Sequence, residues 1–493
     1  MSATRGAGDV GPALPSSGLR RELKTRQLTM IGIGGAIGTG LFLGSTFAIS
    51  QAGPGVVVAY TLCGLVALVI AWALAEMVVV HPTAGAFGTI AHAYLGGGVG
   101  FVLRWTYWAM QAIAIGGEMI AAGIYVQYWW PSLPLWLPVL VFSIIVLGVN
   151  SIAVSVFGEV EYWFAMVKVT AICLFLALGV VLIFVGLPNH PATGVSNLHD
   201  HGGFLPHGLS GLATAMVFVL FSYIGTEVIS VTAAESEDPV NDIPRAARAM
   251  VLRLALFYIL AILVMVTVVP WTVTAQGGDL TASPFVKVFT GAGIPAAATI
   301  MNFVVLTAAL SSANTNLYLT TRMLHSLAEH GLAPRWAGRL STSGVPRLAL
   351  ALSGIGMLLA TVLSWNQQSG AYLALFGISV FAALIVWILI LATHMAFRIK
   401  RERLGLPPSP VRLWGAPVTS GLVIVFLVGV LWSTTRIDGL DPAWQFGLPF
   451  FAALLVAYLV IRGMDGGRHL HGDHDVLALE LRQRELDQEV SQA

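Results

Sequence analysis

Apolar residues run along the chain in blocks of about twenty, each closed by a short polar stretch, long enough for an α-helix to cross a bilayer. The blocks lie near residues 27–50, 55–80, 99–128, 133–152, 160–186, 209–233, 246–271, 294–324, 346–364, 370–396, 415–434 and 443–463. The pattern predicts an all-α membrane protein of twelve transmembrane helices, whose even number puts both termini on one side. Residues 1–22, polar and containing Gly, Pro and Ser, are expected to be a disordered tail. Residues 23–464 then form the membrane domain and 465–493 a second tail, in which Leu477–Leu486 has the pattern of a short amphipathic helix.

The first block is interrupted. Gly32, Gly34, Gly35, Gly38 and Gly40 crowd into Ile31–Phe42, and each costs a helix up to about 1 kcal/mol relative to Ala. In hydrocarbon, unwound backbone persists only where it lines a protein-enclosed cavity. The N-terminal end of a half-helix there attracts an anion such as a carboxylate. The same glycines also make Gly34/Gly38 and Gly40/Gly44 pairs suited to close helix packing, and alone they do not separate the two uses. A second interruption decides. Phe221-Ser-Tyr-Ile-Gly-Thr-Glu227 lies inside the sixth block, and Ile224-Gly-Thr-Glu227 echoes Ile37-Gly-Thr-Gly40. Interrupted helices at corresponding places in two halves point to the midplane site of a secondary transporter.

Charge then sets orientation and narrows the chemistry. Only 10% of the 493 residues are charged and 57% are hydrophobic, against about 25% charged in soluble domains. A formal net charge of +1 gives no reason to expect a nucleic-acid or acidic partner. Cys63 and Cys173 both fall in apolar blocks, so no disulfide or cysteine metal framework is expected. No zinc-protease motif, phosphate loop or catalytic triad is present to suggest an enzyme. No cleavable leader is expected either, because the first apolar block is long and glycine-broken. Lys and Arg crowd the N-terminal side (Arg20, Arg21, Lys24, Arg26, Arg245, Arg248, Arg335, Arg339, Arg347 and the run from Arg398 to Arg412), whereas the opposite loops hold Lys287 and Arg436. Both termini are therefore expected in the cytoplasm, with the chain in the plasma (inner) membrane. Trp129, Trp130 and Trp136 suit an outer aromatic belt. His81–Gly98 reads as a cytoplasmic, partly re-entrant connection, and Glu235–Pro244 as an acidic, proline-bounded cytoplasmic loop.

Four ionisable residues inside blocks stand out, since a charge costs about 2.5–3.5 kcal/mol at the helix centre and so calls for a function or a partner. They are Glu76, Glu118, Lys168 and Glu227. Lys168 is eight residues into its block, about 12 Å deep, near the limit of snorkelling. As a desolvated amine beside unwound carbonyls it would serve as a coupling cation that binds and releases a proton. Glu118 falls near mid-block, lining a cavity, relaying protons or paired with another polar group. Glu227 follows the second break directly and reads as a protonatable gate, while Glu76, close to the cytoplasmic end, fits snorkelling as well as function. In Ser311–Tyr318 helical spacing puts Ser312, Thr315 and Asn316 on one face.

Several stretches together resemble the amino acid transporter family of the amino acid–polyamine–organocation superfamily, over roughly residues 20–465. They are the glycine-rich segment from Leu23 to Phe42, Ala52-Gly-Pro-Gly55, Phe221–Glu227, Glu235–Pro244, Thr321-Arg-Met-Leu324 and Gly331-Leu-Ala-Pro334. The resemblance implies a five-plus-five inverted repeat (about 27–187 and 209–396) with two appended helices (about 415–463) and discontinuous first and sixth helices. It implies that the N–H groups of Gly38, Thr39 and Gly40 hold a substrate α-carboxylate. Carbonyls near Ala36, Phe221 and Ile224, with Gly225 in the break, would take the amino group, and Phe221 would close over the substrate. Lys168 matches a lysine that stands in for a sodium ion in proton-coupled relatives, and Glu227 a proton-sensing glutamate. No acidic pocket beyond Glu118 is evident, so a neutral substrate is expected. The expected function is import of an amino acid by proton symport through alternating access, with the proton as coupling ion, no cofactor, and the bilayer and substrate as partners. An exchanger on the same fold is the alternative, and a non-transporting sensor a more remote one.

Overall fold

A computed structural model describes residues 37–83, 86–152, 154–188, 191–227, 239–275, 283–342, 344–365, 370–464 and 476–492. Its regular elements are helices. A π-turn at Gly40–Gly44 leads into α1 (Ser45–Ala52), and the turn Gly53–Gly55 reverses the chain into α2 (Val56–Val80). Then follow α3 (Ala86–Leu95), α4 (Gly97–Gln127), α5 (Trp136–Ile152), α6 (Val154–Phe184) and α7 (Gly208–Ser222). Helix α8 (Pro239–Arg253) continues through a π-helical stretch, Leu254–Leu260, into α9 (Ala261–Val268). The short α10 (Trp271–Ala275) and α11 (Pro284–Gly291) precede α12 (Pro295–Glu329). Next come α13 (Arg347–Ser353), α14 (Ile355–Trp365), α15 (Ala371–Arg403), α16 (Val418–Ser433), α17 (Asp441–Met464) and α18 (Val476–Gln492).

Among the described residues nine helical stretches are long and apolar enough to cross a membrane, the first running through α1 and α2 together, and α5 and α7 are shorter apolar helices. Within the described residues the apolar blocks land on helices, with one marked difference. The sixth block extends to 233, but α7 ends at Ser222 and residues 223–227 are turns.

Burial grades from centre to rim. In α4 the apolar window is 89% buried, against 11% in α17, so α4 is enclosed by protein while α17 offers its side chains outward. A helix apolar all round needs such an enclosure or a hydrocarbon surrounding. Exposed Phe446, Val456 and Leu459 on α17, and Leu422 and Val425 on α16, fit the second case. Helix α4 packs against α12, α14, α15 and α3, while α1 packs on α7.

Two connections hold helix. His81–Gly98, read as partly re-entrant, contains α3, which packs on α4, α15 and α18. Of Glu235–Pro244, the first four residues lie outside the described residues and 239–244 open α8 rather than forming a loop. Pro239 leads that helix, where its missing N–H is not needed, and Asp242 sits in the first turn, where a negative charge is favoured. Residues 477–486 lie within the longer α18. Cys63 and Cys173 are both free thiols.

Candidate substrate and coupling site

The two interrupted segments meet. Ile37 and Gly38 precede the helical turns, and an added Cβ on Gly40 would come 2.8 Å from Ser222 Cα and 2.9 Å from Phe221 Cδ1. Only a residue without a side chain lets the start of the first helix cross the end of α7 this closely. Phe221 is buried, its ring 4.4 Å from that of Phe376 on α15. Beyond Ser222 the chain turns back on itself: Ile224 N–H donates to Phe221 O (3.1 Å) and Thr226 N–H to Tyr223 O (3.3 Å). Gly225 has φ 100°, a left-handed conformation that glycine adopts without a Cβ penalty. Its N–H donates to Glu227 Oε2 at 3.1 Å, so the carboxylate folds back on the turn that precedes it. Ala36 lies outside the described residues.

Two charged side chains reach the start of the first helix. Thr39 N–H donates to Glu118 Oε2 (3.2 Å), and Ser312 Oγ donates to Glu118 Oε1 (2.9 Å). A helix-start N–H thus already holds a carboxylate, as the half-helix dipole favours. On the other side Lys168 Nζ donates to Ile37 O (3.2 Å) and to Ser311 Oγ (2.8 Å). Lys168 is fully buried, so snorkelling does not describe it. Its amine is fastened to a carbonyl just ahead of the first helical turns.

A family model for amino acid permeases matches residues 27–469. This chain belongs to that family. It lies within the amino acid–polyamine–organocation superfamily, and it is a multi-pass membrane protein that transports amino acids rather than an enzyme. Among its relatives is the γ-aminobutyric acid permease of Bacillus subtilis (strain 168), 39% identical over 90% of this chain and 94% of the relative. A probable threonine/serine transporter of the same organism, YbxG, is 39% identical over 90% and 95%. The aromatic amino acid transport protein AroP of Escherichia coli (strain K12) is 39% identical over 84% and 89%. Three relatives named for different substrates are equally similar, so overall identity does not choose among them.

The permease also holds a site residue that the sequence reading passed over. Glu161, seven residues before Lys168 on α6, is fully buried, with Oε1 3.9 Å from Lys168 Nζ. Ser311 Oγ donates to that same oxygen, Asn314 Nδ2 donates to Oε2 (3.4 Å), and Asn150 Nδ2 donates to Asn314 Oδ1 (2.7 Å). Near the start of an apolar block an acid looks interfacial. The available signal was its spacing, two helical turns from Lys168 and hence the same face. Of the expected Ser312, Thr315 and Asn316 face on α12, Ser312 holds Glu118 and Thr315 faces Glu161, and the polar stripe is used at Ser311 and Asn314 as well.

Glu76 does not join this site. It is buried and accepts from Arg398 through both oxygens (2.8 Å each), from the N–H of Leu413 (2.7 Å), and lies 3.0 Å from His394 Nε2. Arg398 also donates to the carbonyls of Leu413 and Ala416. The cluster ties α2 to α15 and to the segment leading into α16. It is a clamp between helices rather than a snorkelling acid. Among the described residues no group of three His, Cys, Asp or Glu side chains is placed to hold a metal ion; His469, His471 and His474 lie outside them.

Proposed function

We propose that this permease imports a neutral amino acid together with a proton, by alternating access across the plasma membrane, with both termini in the cytoplasm. The observation that carries the reading is the bond from the Lys168 amine to Ile37 O. A fixed ammonium there supplies the positive charge that a bound sodium ion would otherwise bring to unwound carbonyls. Its charge changes only by gain or loss of a proton, so the driving ion is the proton.

The frame is a five-plus-five inverted repeat with twelve membrane helices, the first and sixth discontinuous. Packing supports the repeat: α4 meets α15 as α12 meets α6, and α2 meets α15 as α9 meets α6. In the same sense α4 meets α14 as α12 meets α5, and the pairs α1–α7 and α4–α12 join corresponding helices. The substrate carboxylate takes the N–H groups of Gly38, Thr39 and Gly40, displacing Glu118 from Thr39 while Ser312 retains the displaced carboxylate. Its ammonium group goes to the carbonyls near Ala36, Phe221 and Ile224, and Phe221 closes over it. Glu227, bonded to its own turn, responds to protonation by releasing Gly225 N–H.

Uptake into proteoliposomes tests this. Labelled substrate should accumulate under an inward proton gradient, with or without sodium. Sodium-dependent uptake that ignores pH would refute the coupling. Competition by the twenty amino acids and γ-aminobutyrate then identifies the cargo.

A further inference from the structure

Lys168 must surrender its proton once the site has turned inward, and the geometry supplies an acceptor. The direct gap from Nζ to Glu161 Oε1 is 3.9 Å, beyond hydrogen-bond reach. Ser311 fills it. Its hydroxyl accepts from the amine at 2.8 Å and donates to Glu161 Oε1, two hydrogen bonds in series pointing the same way.

We infer that Glu161 receives the proton released by Lys168 through the Ser311 hydroxyl, a step that rests on the proton-coupled reading above. The ammonium gives a proton to Ser311 Oγ as Ser311 passes its own hydroxyl proton to Glu161 Oε1. The products are a neutral amine, an intact hydroxyl and a carboxylic acid. No net charge is created in the membrane core. Glu161 sits two turns earlier than Lys168 on α6, about 10 Å nearer that helix's start. With both termini inside, that is the cytoplasmic direction, and water entering the inward-open cavity takes the proton from the acid.

The described surroundings brace this chain. From α12, Ser311 and Asn314 touch Glu161, and Thr315 faces it; from α5, Asn150 braces Asn314. The other charges whose field reaches Lys168 are Glu118 on α4, held by Thr39 and Ser312, and Arg253 at the end of α8. Helix α9, which also packs on α6, carries no titratable residue.

The test compares net uptake driven by a proton gradient with substrate counterflow, which needs no net proton movement. Glu161→Gln should lower accumulation about tenfold or more, the scale of a lost proton-transfer group, while counterflow is retained. Glu161→Asp should recover part of the loss. Ser311→Ala removes only the bridging hydroxyl, should reproduce the defect and flatten the pH profile of uptake, and decides the matter if Glu161→Gln does not fold. Accumulation at the wild-type level in Ser311→Ala or Glu161→Gln overturns the relay alone, provided the wild type is proton-driven. Equal loss of counterflow and accumulation, with Glu161→Asp no better, also overturns it and makes the network a brace. A wild type indifferent to the proton gradient removes the relay together with the reading beneath it.

Discussion

Two buried glutamates of this permease, Glu76 and Glu161, both face a cation and live under opposite rules. Glu76 is saturated: a guanidinium reaches both of its oxygens, an imidazole and a backbone N–H complete the set, and every bond is 2.7–3.0 Å. Glu161 stands 3.9 Å from its lysine with a hydroxyl between them, and its other oxygen has an amide at 3.4 Å. A saturated cluster has one arrangement and holds helices together. A loosely coupled pair beside non-helical backbone has alternatives, because moving one proton changes both partners. Buried charge marks a residue that needs an explanation; how completely it is bonded says which explanation applies.

Substitutions sharpen the contrast. The largest effect is expected at Lys168→Ala, which should abolish gradient-driven accumulation while the protein still extracts and purifies as a folded species. A variant that also unfolds would make Lys168 a brace like Glu76. Next, Glu76→Ala leaves His394 buried and Arg398 half-buried without their acid and should destabilise the fold by about 3 kcal/mol. Thermal unfolding in detergent should show a lowered midpoint, and an unchanged midpoint would contradict the clamp. Gly40→Ala pushes a methyl group towards Ser222 Cα and forces backbone to shift, at a cost of about 1–3 kcal/mol. Transport should fall more than stability does, as read by uptake and melting on one preparation. The smallest effect is expected at Glu480→Gln on α18. Its bonds to Arg401, at 2.6 and 3.1 Å, lie where Glu480 is partly exposed, and about 1 kcal/mol or less is at stake. Limited proteolysis of the C-terminal helix should quicken slightly while uptake stays near the wild-type rate.

What the sequence could and could not reveal follows the same division. Lys168 was legible because an ammonium about 12 Å into an apolar block has no inexpensive explanation. The glycine at position 40 was legible as a break or a close packing, and the structure makes it the crossing point with Phe221 and Ser222. Glu76 was visible as a buried charge, but its clamp was not, since Arg398, His394 and Leu413 lie more than 300 residues away and only tertiary packing joins them. Glu161 was hidden because its depth depends on where α6 begins, and that helix starts at Val154, six residues earlier than the apolar block. Whether Ser311 or Ser312 faces the lysine is a matter of helix rotation, which period alone leaves open by about one residue. Pro239, read as loop punctuation, is equally good at opening a helix.

The central claim is that the Lys168 amine carries the coupling proton. A pH-sensitive dye sealed inside proteoliposomes measures it when substrate is added outside. The account predicts substrate-evoked acidification in the wild type and none in Lys168→Ala, with counterflow persisting in both. Undiminished acidification in Lys168→Ala would contradict it.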